Sequence, residues 1–152
     1  MIRSIFKLSL KEEVTIRSSI EDVWDTLTSL DSWPIWNEVC KKASWVSGDA
    51  WTLGSVFSME LILAGVTIPF TVAVKIYDKP KQLSWSSTFL GITGTREFKV
   101  EKVNRNIVRV TDSKIFTSSF LPIKLFYPRP IINKMSRGWL NSLKIKSELK
   151  DS

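Results

Sequence analysis

Four turn signals divide the middle of the chain into runs of alternating apolar residues, and they constrain the fold more than any other feature. The turns are Ala64-Gly65, "DKPK" at residues 78–81, Leu90-Gly91 and "VNRN" at residues 103–106. Alternation places successive side chains on opposite faces of a strand, and a short turn containing glycine is typical of a β-hairpin. The pattern predicts an antiparallel meander of five strands over residues 55–63, 66–77, 82–89, 92–102 and 107–116.

The apolar positions of these strands agree on one face when the strands are paired across their turns. A slip of one residue would move a strand's whole apolar set to the other face, so agreement across four turns supports the pairing. The predicted pairs are Leu63–Val66, Leu61–Ile68, Met59–Phe70, Phe57–Val72, Ile76–Leu83, Val74–Trp85, Trp85–Arg96, Leu83–Phe98, Phe98–Asp112 and Val100–Val110.

The chain before the meander predicts a strand, a broken helical segment and another strand. Ser18 or Ser19 is a suitable N-cap, and Ser18 with Glu21 forms the pattern of a capping box. Pro34 has no backbone N–H, so the first helix must end before it and a second short helix can begin there. The two additional strands are predicted at residues 6–16 and 39–46.

The C-terminal segment predicts a long amphipathic helix, because apolar residues recur at steps of three and four. We expect Met135 and Trp139 to contact strand residues such as Phe57 or Val72. Gly138 lies inside this helix at a cost of about 1 kcal/mol, which a close approach to the sheet or to a ligand would explain. The whole pattern predicts a single α+β domain over residues 1–152, with about seven antiparallel strands, two short helices and a long C-terminal helix.

The composition excludes several kinds of site. The 152 residues include no histidine, which removes His-based metal sites, the Ser-His-Asp triad and the usual general base near neutral pH. Cys40 is the only cysteine, so no internal disulfide can form, and it is interpreted as a buried small residue rather than a nucleophile. We therefore expect no metal and no cofactor. A lone cysteine and the lack of a signal-peptide pattern favour a cytoplasmic location.

The net charge of +7 is concentrated at the C-terminus, where residues 120–152 carry seven basic and two acidic side chains. A basic helix can contact an anionic membrane, so peripheral membrane docking for lipid transfer is one hypothesis. Nucleic-acid binding is not expected, because the aromatic residues that would stack on bases are needed for the core.

Several segments of the chain resemble the START-like superfamily, also called SRPBCC or helix-grip proteins. This superfamily includes the birch-pollen allergen group and the polyketide cyclase/dehydrase group. The resemblance implies a strongly curved sheet wrapped around the C-terminal helix, with a cavity between them for a lipid, polyketide or other largely apolar molecule. The matching segments are "VWDTLTSLDSWPIWN" near the start, "LGSVF" (residues 53–57), "KPKQLSW" (79–85), "GITGTREFKVEKV" (91–103) and "WLNSLKIKSEL" near the end.

The same resemblance gives the broken helical pair a role. In this superfamily the pair closes one end of the curved sheet, which implies that Trp24, Trp33 and Trp36 are mainly a structural plug. Each large aromatic side chain buries about 150–250 Å², so three of them can close such an opening.

The inward positions of the meander and the helix provide the candidate ligand-binding residues. Ligand pockets are mainly apolar with a few polar groups, which matches this set. The same side chains could instead fill the core completely, and the sequence leaves both alternatives open. The candidates are Phe57, Met59, Phe70, Val72, Trp85, Arg96, Phe98, Val110, Asp112, Met135 and Trp139.

Three inward positions carry charge: Arg96, Asp112 and Lys114. Because isolated buried charges are costly, we expect Trp85, Arg96 and Asp112 to share the concave face, with Arg96 against the indole of Trp85 and paired with Asp112. The alternative is that this end of the sheet opens to solvent.

Besides membrane docking, two functional hypotheses are open: a non-catalytic carrier or sensor of a hydrophobic small molecule, and a cyclase or dehydratase acting on a polyketide-like substrate. The enzyme would need a general acid and base without histidine, metal or nucleotide cofactor, and its catalytic candidates are Arg96 and Asp112. Glu60 and Tyr77 face outward in the predicted register. An Asp paired with an Arg has a lowered pKa and is a poor base, which favours the carrier.

Overall fold

The fold is a seven-stranded antiparallel sheet with a long C-terminal helix packed against it. The structure, a computed structural model, describes residues 6–89, 91–120 and 127–150. The strands are β1 (Phe6–Arg17), β2 (Cys40–Ser47), β3 (Val56–Leu63), β4 (Val66–Asp78), β5 (Gln82–Phe89), β6 (Ile92–Asn104) and β7 (Ile107–Ser118). The helices are α1 (Ile20–Thr28), α2 (Trp33–Trp36) and α3 (Arg129–Lys150), with a 3-10 turn at Leu30–Ser32. The strands lie in the order β1-β7-β6-β5-β4-β3-β2. The order of β3 to β7 is the one that the predicted meander requires.

The predicted register is confirmed at three of the four turns. Arg96 lies opposite Lys114 and Phe98 opposite Asp112, so Trp85, Arg96 and Asp112 do share one face of the sheet. Leu90, of the predicted third turn, lies outside the described residues. The confirmed pairs are Leu63–Val66, Leu61–Ile68, Met59–Phe70, Phe57–Val72, Val74–Trp85, Trp85–Arg96, Leu83–Phe98, Phe98–Asp112 and Val100–Val110.

A β-bulge in β4 changes the register near the second turn. Leu83 lies opposite Tyr77, and Ile76 lies opposite Ser84, so the predicted Ile76–Leu83 pair is wrong. A bulge places one extra residue in a strand and shifts the residues beyond it to the other face. Tyr77 is therefore packed against the core, where its hydroxyl accepts a hydrogen bond of 3.4 Å from the indole of Trp24. The prediction that Tyr77 faces outward is wrong for this reason.

Helix α1 begins one residue later than the predicted capping box. Ser19 is the N-cap, and its hydroxyl accepts a hydrogen bond of 3.2 Å from the backbone N–H of Asp22. Of the two predicted N-cap candidates, Ser19 is therefore confirmed. Ser18 is buried instead, so the prediction of a Ser18–Glu21 capping box is wrong. Pro34 lies in the first turn of α2, as predicted.

Tryptophans of the broken helical pair form the centre of the core. Trp33 is fully buried, and its ring centroid lies 4.9 Å from that of Trp139 and 5.7 Å from that of Trp85. Its indole nitrogen donates a hydrogen bond of 3.0 Å to the carbonyl of Leu27, which ties α2 to α1. Trp24 is also buried, so the structural role expected for these two residues is confirmed, whereas Trp36 is only partly buried.

Gly138 allows α3 to pass close to the segment that precedes β2. A Cβ atom at this position would lie 2.8 Å from Val39 Cγ1 and 3.2 Å from Glu38 Oε1. The same segment is held by Ser142, whose hydroxyl accepts a hydrogen bond of 3.1 Å from the backbone of Glu38. The close approach at Gly138 is therefore to residues 38–39, and not to a strand of the sheet as expected.

Within residues 6–89, 91–120 and 127–150, no helix combines the length and the apolar character that crossing a membrane requires.

Candidate functional site

A cavity of about 330 Å³ lies between the inner face of the sheet and the first turns of α3. Its volume is near the lower end of the range of about 300–1,000 Å³ found for small-molecule sites. Its walls are mostly aliphatic and aromatic. Six of the predicted ligand-binding residues line it: Met59, Phe70, Val72, Trp85, Arg96 and Met135.

The other five predicted residues do not line this cavity. They are at most 1% exposed and fill the core beside it: Phe57, Phe98, Val110, Asp112 and Trp139. Both alternatives left open by the sequence are therefore realised, since one part of the interior is filled and another contains a cavity. That any of the eleven residues binds a ligand stays a prediction.

Trp139 of α3 contacts residues of the strands, as predicted. The ring of Trp139 lies 5.9 Å from Phe98 and 6.3 Å from Trp85, centroid to centroid, so it packs on strand residues. Met135 lines the cavity together with Val72.

Several cavity residues were missed by the sequence interpretation. Ser87 and Phe116 continue the inward alternation of β5 and β7, so following the same parity further along each strand would have found them. Leu61, which also lines the cavity, was already placed on the inward face by the predicted Leu61–Ile68 pair. Gly94 lies opposite Phe116, and a Cβ atom there would be 3.1 Å from the Phe116 ring. Ile132 reaches the cavity from α3, and no pattern in the sequence indicates how that helix approaches the sheet.

One buried cluster of charge lies at the wall of the cavity. Arg96 donates from Nε to Asp112 Oδ1 at 3.0 Å and from Nη2 to Oδ2 at 2.7 Å. Lys114 Nζ lies 3.1 Å from both oxygens of Asp112 and is also hydrogen-bonded to Ser136 of α3. Arg96 and Lys114 are each 5% exposed, and Asp112 is 1% exposed. The predicted Arg96–Asp112 pair is confirmed, and the alternative of a solvent-exposed end is wrong.

Aromatic rings surround the guanidinium group of Arg96. Its Cζ atom lies 4.1 Å from the ring centroid of Trp139, 4.7 Å from that of Phe98 and 5.8 Å from that of Trp85. A cation over an aromatic face is attracted by the ring quadrupole. The expected contact of Arg96 with the indole of Trp85 is therefore present, but the rings of Trp139 and Phe98 lie closer.

The ionisation of the cluster follows from its burial and its charges. Burial alone would raise the pKa of Asp112. The positive charges and hydrogen bonds of Arg96 and Lys114 together have the larger, opposite effect, so the pKa of Asp112 lies below the ordinary value of 3.8. Burial, with the charge of Arg96, lowers the pKa of Lys114 to about 8. At neutral pH Asp112 is therefore ionised and Lys114 is mostly protonated.

The lone cysteine is inert at neutral pH. Cys40 is buried, and burial raises the pKa of its thiol to about 11. The thiolate is the reactive form of cysteine, so this side chain acts as a small core residue, as predicted. Elsewhere in the described ranges, no three His, Cys, Asp or Glu side chains are grouped so that they could hold a metal ion.

A family model and several solved structures match this chain. A family model described as "Polyketide cyclase / dehydrase and lipid transport" matches residues 7–140. The Zhui aromatase/cyclase from Streptomyces sp. R1128 superposes with a TM-score of 0.79 at 13% identity, covering 96% of each chain. A comparison with curated protein sequences found no match.

Two further solved structures show the same fold. Norcoclaurine synthase from Thalictrum flavum superposes with a TM-score of 0.78 at 11% identity, covering 99% of this chain and 100% of that chain. A START superfamily protein from Mycobacterium smegmatis gives 0.72 at 14% identity, covering 93% and 97%. At such identities these similarities establish the fold and leave the activity open.

Proposed function

The chain belongs to the polyketide cyclase/dehydrase and lipid transport family, and on this premise we propose that it binds and carries a hydrophobic, lipid- or polyketide-like small molecule. The binding site is the cavity between the sheet and α3. The START-like resemblance seen in the sequence is confirmed by the family match and by the fold, and both uses in the family's description suit an apolar cavity of this kind.

The apolar cavity is the observation that carries this proposal. Most of its wall is made of side chains that cannot hydrogen-bond, such as Leu61, Phe70, Val72 and Met135. Removing apolar surface from water contributes about 25 cal/mol per Å², so a ligand that fills the space would be held mainly by its shape and its apolar area.

A substitution that fills the cavity tests the proposal. Ser87 lines the cavity and is half-buried, so Ser87→Trp should occupy the space that a ligand needs. We expect the wild type to bind the neutral apolar dye N-phenyl-1-naphthylamine, and we expect Ser87→Trp to bind it at least about tenfold more weakly, a loss of about 1.4 kcal/mol. The measurement is a fluorescence titration.

The matched control is Thr88→Trp, because Thr88 is the next residue of β5 and is exposed on the opposite face. This variant should bind the dye like the wild type. Equal affinity in wild type and Ser87→Trp, with both proteins folded, would contradict binding in this cavity.

The enzymatic alternative is supported by the position of Lys114, a buried cation in the cavity wall whose burial lowers its pKa to about 8. A group that titrates near neutral pH can act as a general acid or base. Asp112 is less suited than the sequence suggested, because it does not line the cavity and its two oxygens are already engaged by Arg96 and Lys114. A cyclase or dehydratase would therefore use Lys114 with Arg96.

Peripheral membrane contact through α3 is a weaker proposal. Three of the six basic residues of α3 form ion pairs with acidic residues in the described part of the chain: Arg137 with Glu12 at 3.3 Å, Lys144 with Glu148 at 2.7 Å and Lys150 with Asp22 at 3.9 Å. Each free Lys or Arg near an anionic membrane contributes about 1 kcal/mol to the binding free energy. Because these ion pairs neutralise part of the charge of α3, they weaken its attraction to such a surface. Co-sedimentation with phosphatidylserine vesicles at low salt tests the contact, and an absence of binding would exclude it.

A further inference from the structure

The buried cluster in the cavity wall carries more positive than negative charge. Arg96 and Lys114 are two cations, and Asp112 is the one carboxylate that contacts them among the described residues. Glu12 also acts on Lys114 electrostatically, but it is paired with Arg137 and its side chain is 23% exposed. Because Lys114 remains mostly protonated at neutral pH, the cluster has one uncompensated positive charge. Buried charges are costly unless they are paired.

The hydrogen bonds of the cluster leave one donor group unused. Both oxygens of Asp112 accept from Arg96 and from Lys114, and Lys114 is also bonded to Ser136. Nη1 of Arg96 is buried and has no hydrogen-bond partner within the described part of the chain. A buried charged donor without an acceptor is destabilising, so this nitrogen is suited to an acceptor that the protein itself does not supply.

The two residues that carry these features, Arg96 and Lys114, line the cavity described above. Its wall otherwise consists mainly of apolar side chains such as Met59, Phe70 and Val72. The Arg96 guanidinium is held in place by its two bonds to Asp112 and by the ring of Trp139. A group held in this way loses little conformational freedom when a ligand binds.

We propose that the ligand is an apolar molecule carrying a single carboxylate, which accepts hydrogen bonds from Nη1 of Arg96 and neutralises the excess charge of the Arg96–Asp112–Lys114 cluster. This inference rests on the proposed function and specifies the chemical class of its ligand. A monoanion balances the one excess charge. A neutral alcohol can satisfy the unused donor but leaves the charge unbalanced.

Two probes with the same apolar chain test the inference: decanoate and decan-1-ol. Their affinities are measured at neutral pH by displacement of N-phenyl-1-naphthylamine from the wild-type protein. We expect decanoate to bind more tightly by at least about tenfold, because its carboxylate balances the excess positive charge that decan-1-ol leaves uncompensated. This comparison requires no substitution, so it does not depend on a variant that folds.

The variant Lys114→Met then tests the origin of the preference. It removes the excess charge and keeps the Arg96–Asp112 pair, so the ratio of the two affinities should fall by about tenfold toward equality. The control is Lys134→Met, which removes a positive charge from an exposed position on α3 outside the cavity. This control should keep the wild-type ratio.

The outcomes separate the two proposals. If both probes displace the dye equally well, or if neither does while the dye itself binds, the carboxylate inference is overturned and binding of apolar molecules in the cavity stands. A preference for decanoate that persists in Lys114→Met would also overturn the assignment to this cluster. If the dye does not bind the wild type at all, the proposed function itself is contradicted.

Discussion

Asp112→Asn is expected to lower the free energy of unfolding by about 3–5 kcal/mol, because it leaves two buried cations without a counter-charge. Arg96 and Lys114 are each 5% exposed and both contact the Asp112 carboxylate. The amide of Asn keeps one acceptor oxygen but supplies no negative charge. Urea denaturation of the wild type and the variant measures the difference.

The control is an exposed ion pair between β6 and β7, the two strands that also carry the buried cluster. Arg109 and Glu101 lie 3.7 Å apart, and their side chains are 43% and 58% exposed. Glu101→Gln should change the free energy of unfolding by about 0.5 kcal/mol or less, since such pairs are screened by solvent. If Asp112→Asn is as mild as Glu101→Gln, the cluster is not the buried ion network described above.

The second large effect is expected at Trp139. Trp139→Ala should lower the free energy of unfolding by about 3–5 kcal/mol, because truncation of a fully buried Trp leaves a large void. The rings of Trp33, Trp85 and Phe98 would lose a neighbour, and Arg96 would lose its closest aromatic face. Thermal and urea unfolding of the purified variant measure the loss.

Ile145 on the same helix serves as the comparison for Trp139. Its side chain is 54% exposed, so Ile145→Ala removes little buried apolar area and should change the free energy of unfolding by about 0.5 kcal/mol or less. A result in which Trp139→Ala unfolds like Ile145→Ala would mean that α3 does not dock on the sheet as described.

The strand register could be predicted from the sequence because each turn fixes a pairing and each pairing tests the same face. Leu83, for example, lies opposite Phe98, and Phe98 lies opposite Asp112. A one-residue slip in the pairing of any two strands would have turned apolar residues of the next strand outward. The inward position of Arg96 and its pairing with Asp112 followed from the same argument. These two residues are charged, and the cost of burying charge predicted their contact.

The bulge in β4 could not be predicted, because alternation does not show where a strand takes in an extra residue to follow the curvature of the sheet. Trp51 was missed for a related reason. It lies in the loop between β2 and β3 with a φ of 56°, and its indole donates a hydrogen bond of 2.8 Å to the carbonyl of Thr28. Periodicity carries no information about a side chain held by a loop.

The boundary between filled core and cavity is a matter of volume, which the sequence pattern does not contain. Phe98 and Phe70 are both apolar, inward-facing positions, yet the first is fully buried in the core and the second lines the cavity. The difference depends on where α3 lies against the sheet. Met135 and Ile132 close the space from the helix side, and no residue spacing fixes their distance from the strands.

Native mass spectrometry tests the central claim, that the cavity carries a small molecule without consuming it. Wild type and Ser87→Trp are incubated with the same small-molecule extract of the cells that produced them, and the bound compound is released and compared with the free one after long incubation. We predict that the wild type carries an adduct that Ser87→Trp lacks, and that the compound is recovered unchanged. Adducts of equal abundance on both proteins, no adduct on the wild type, or conversion of the compound by the wild type would contradict the account.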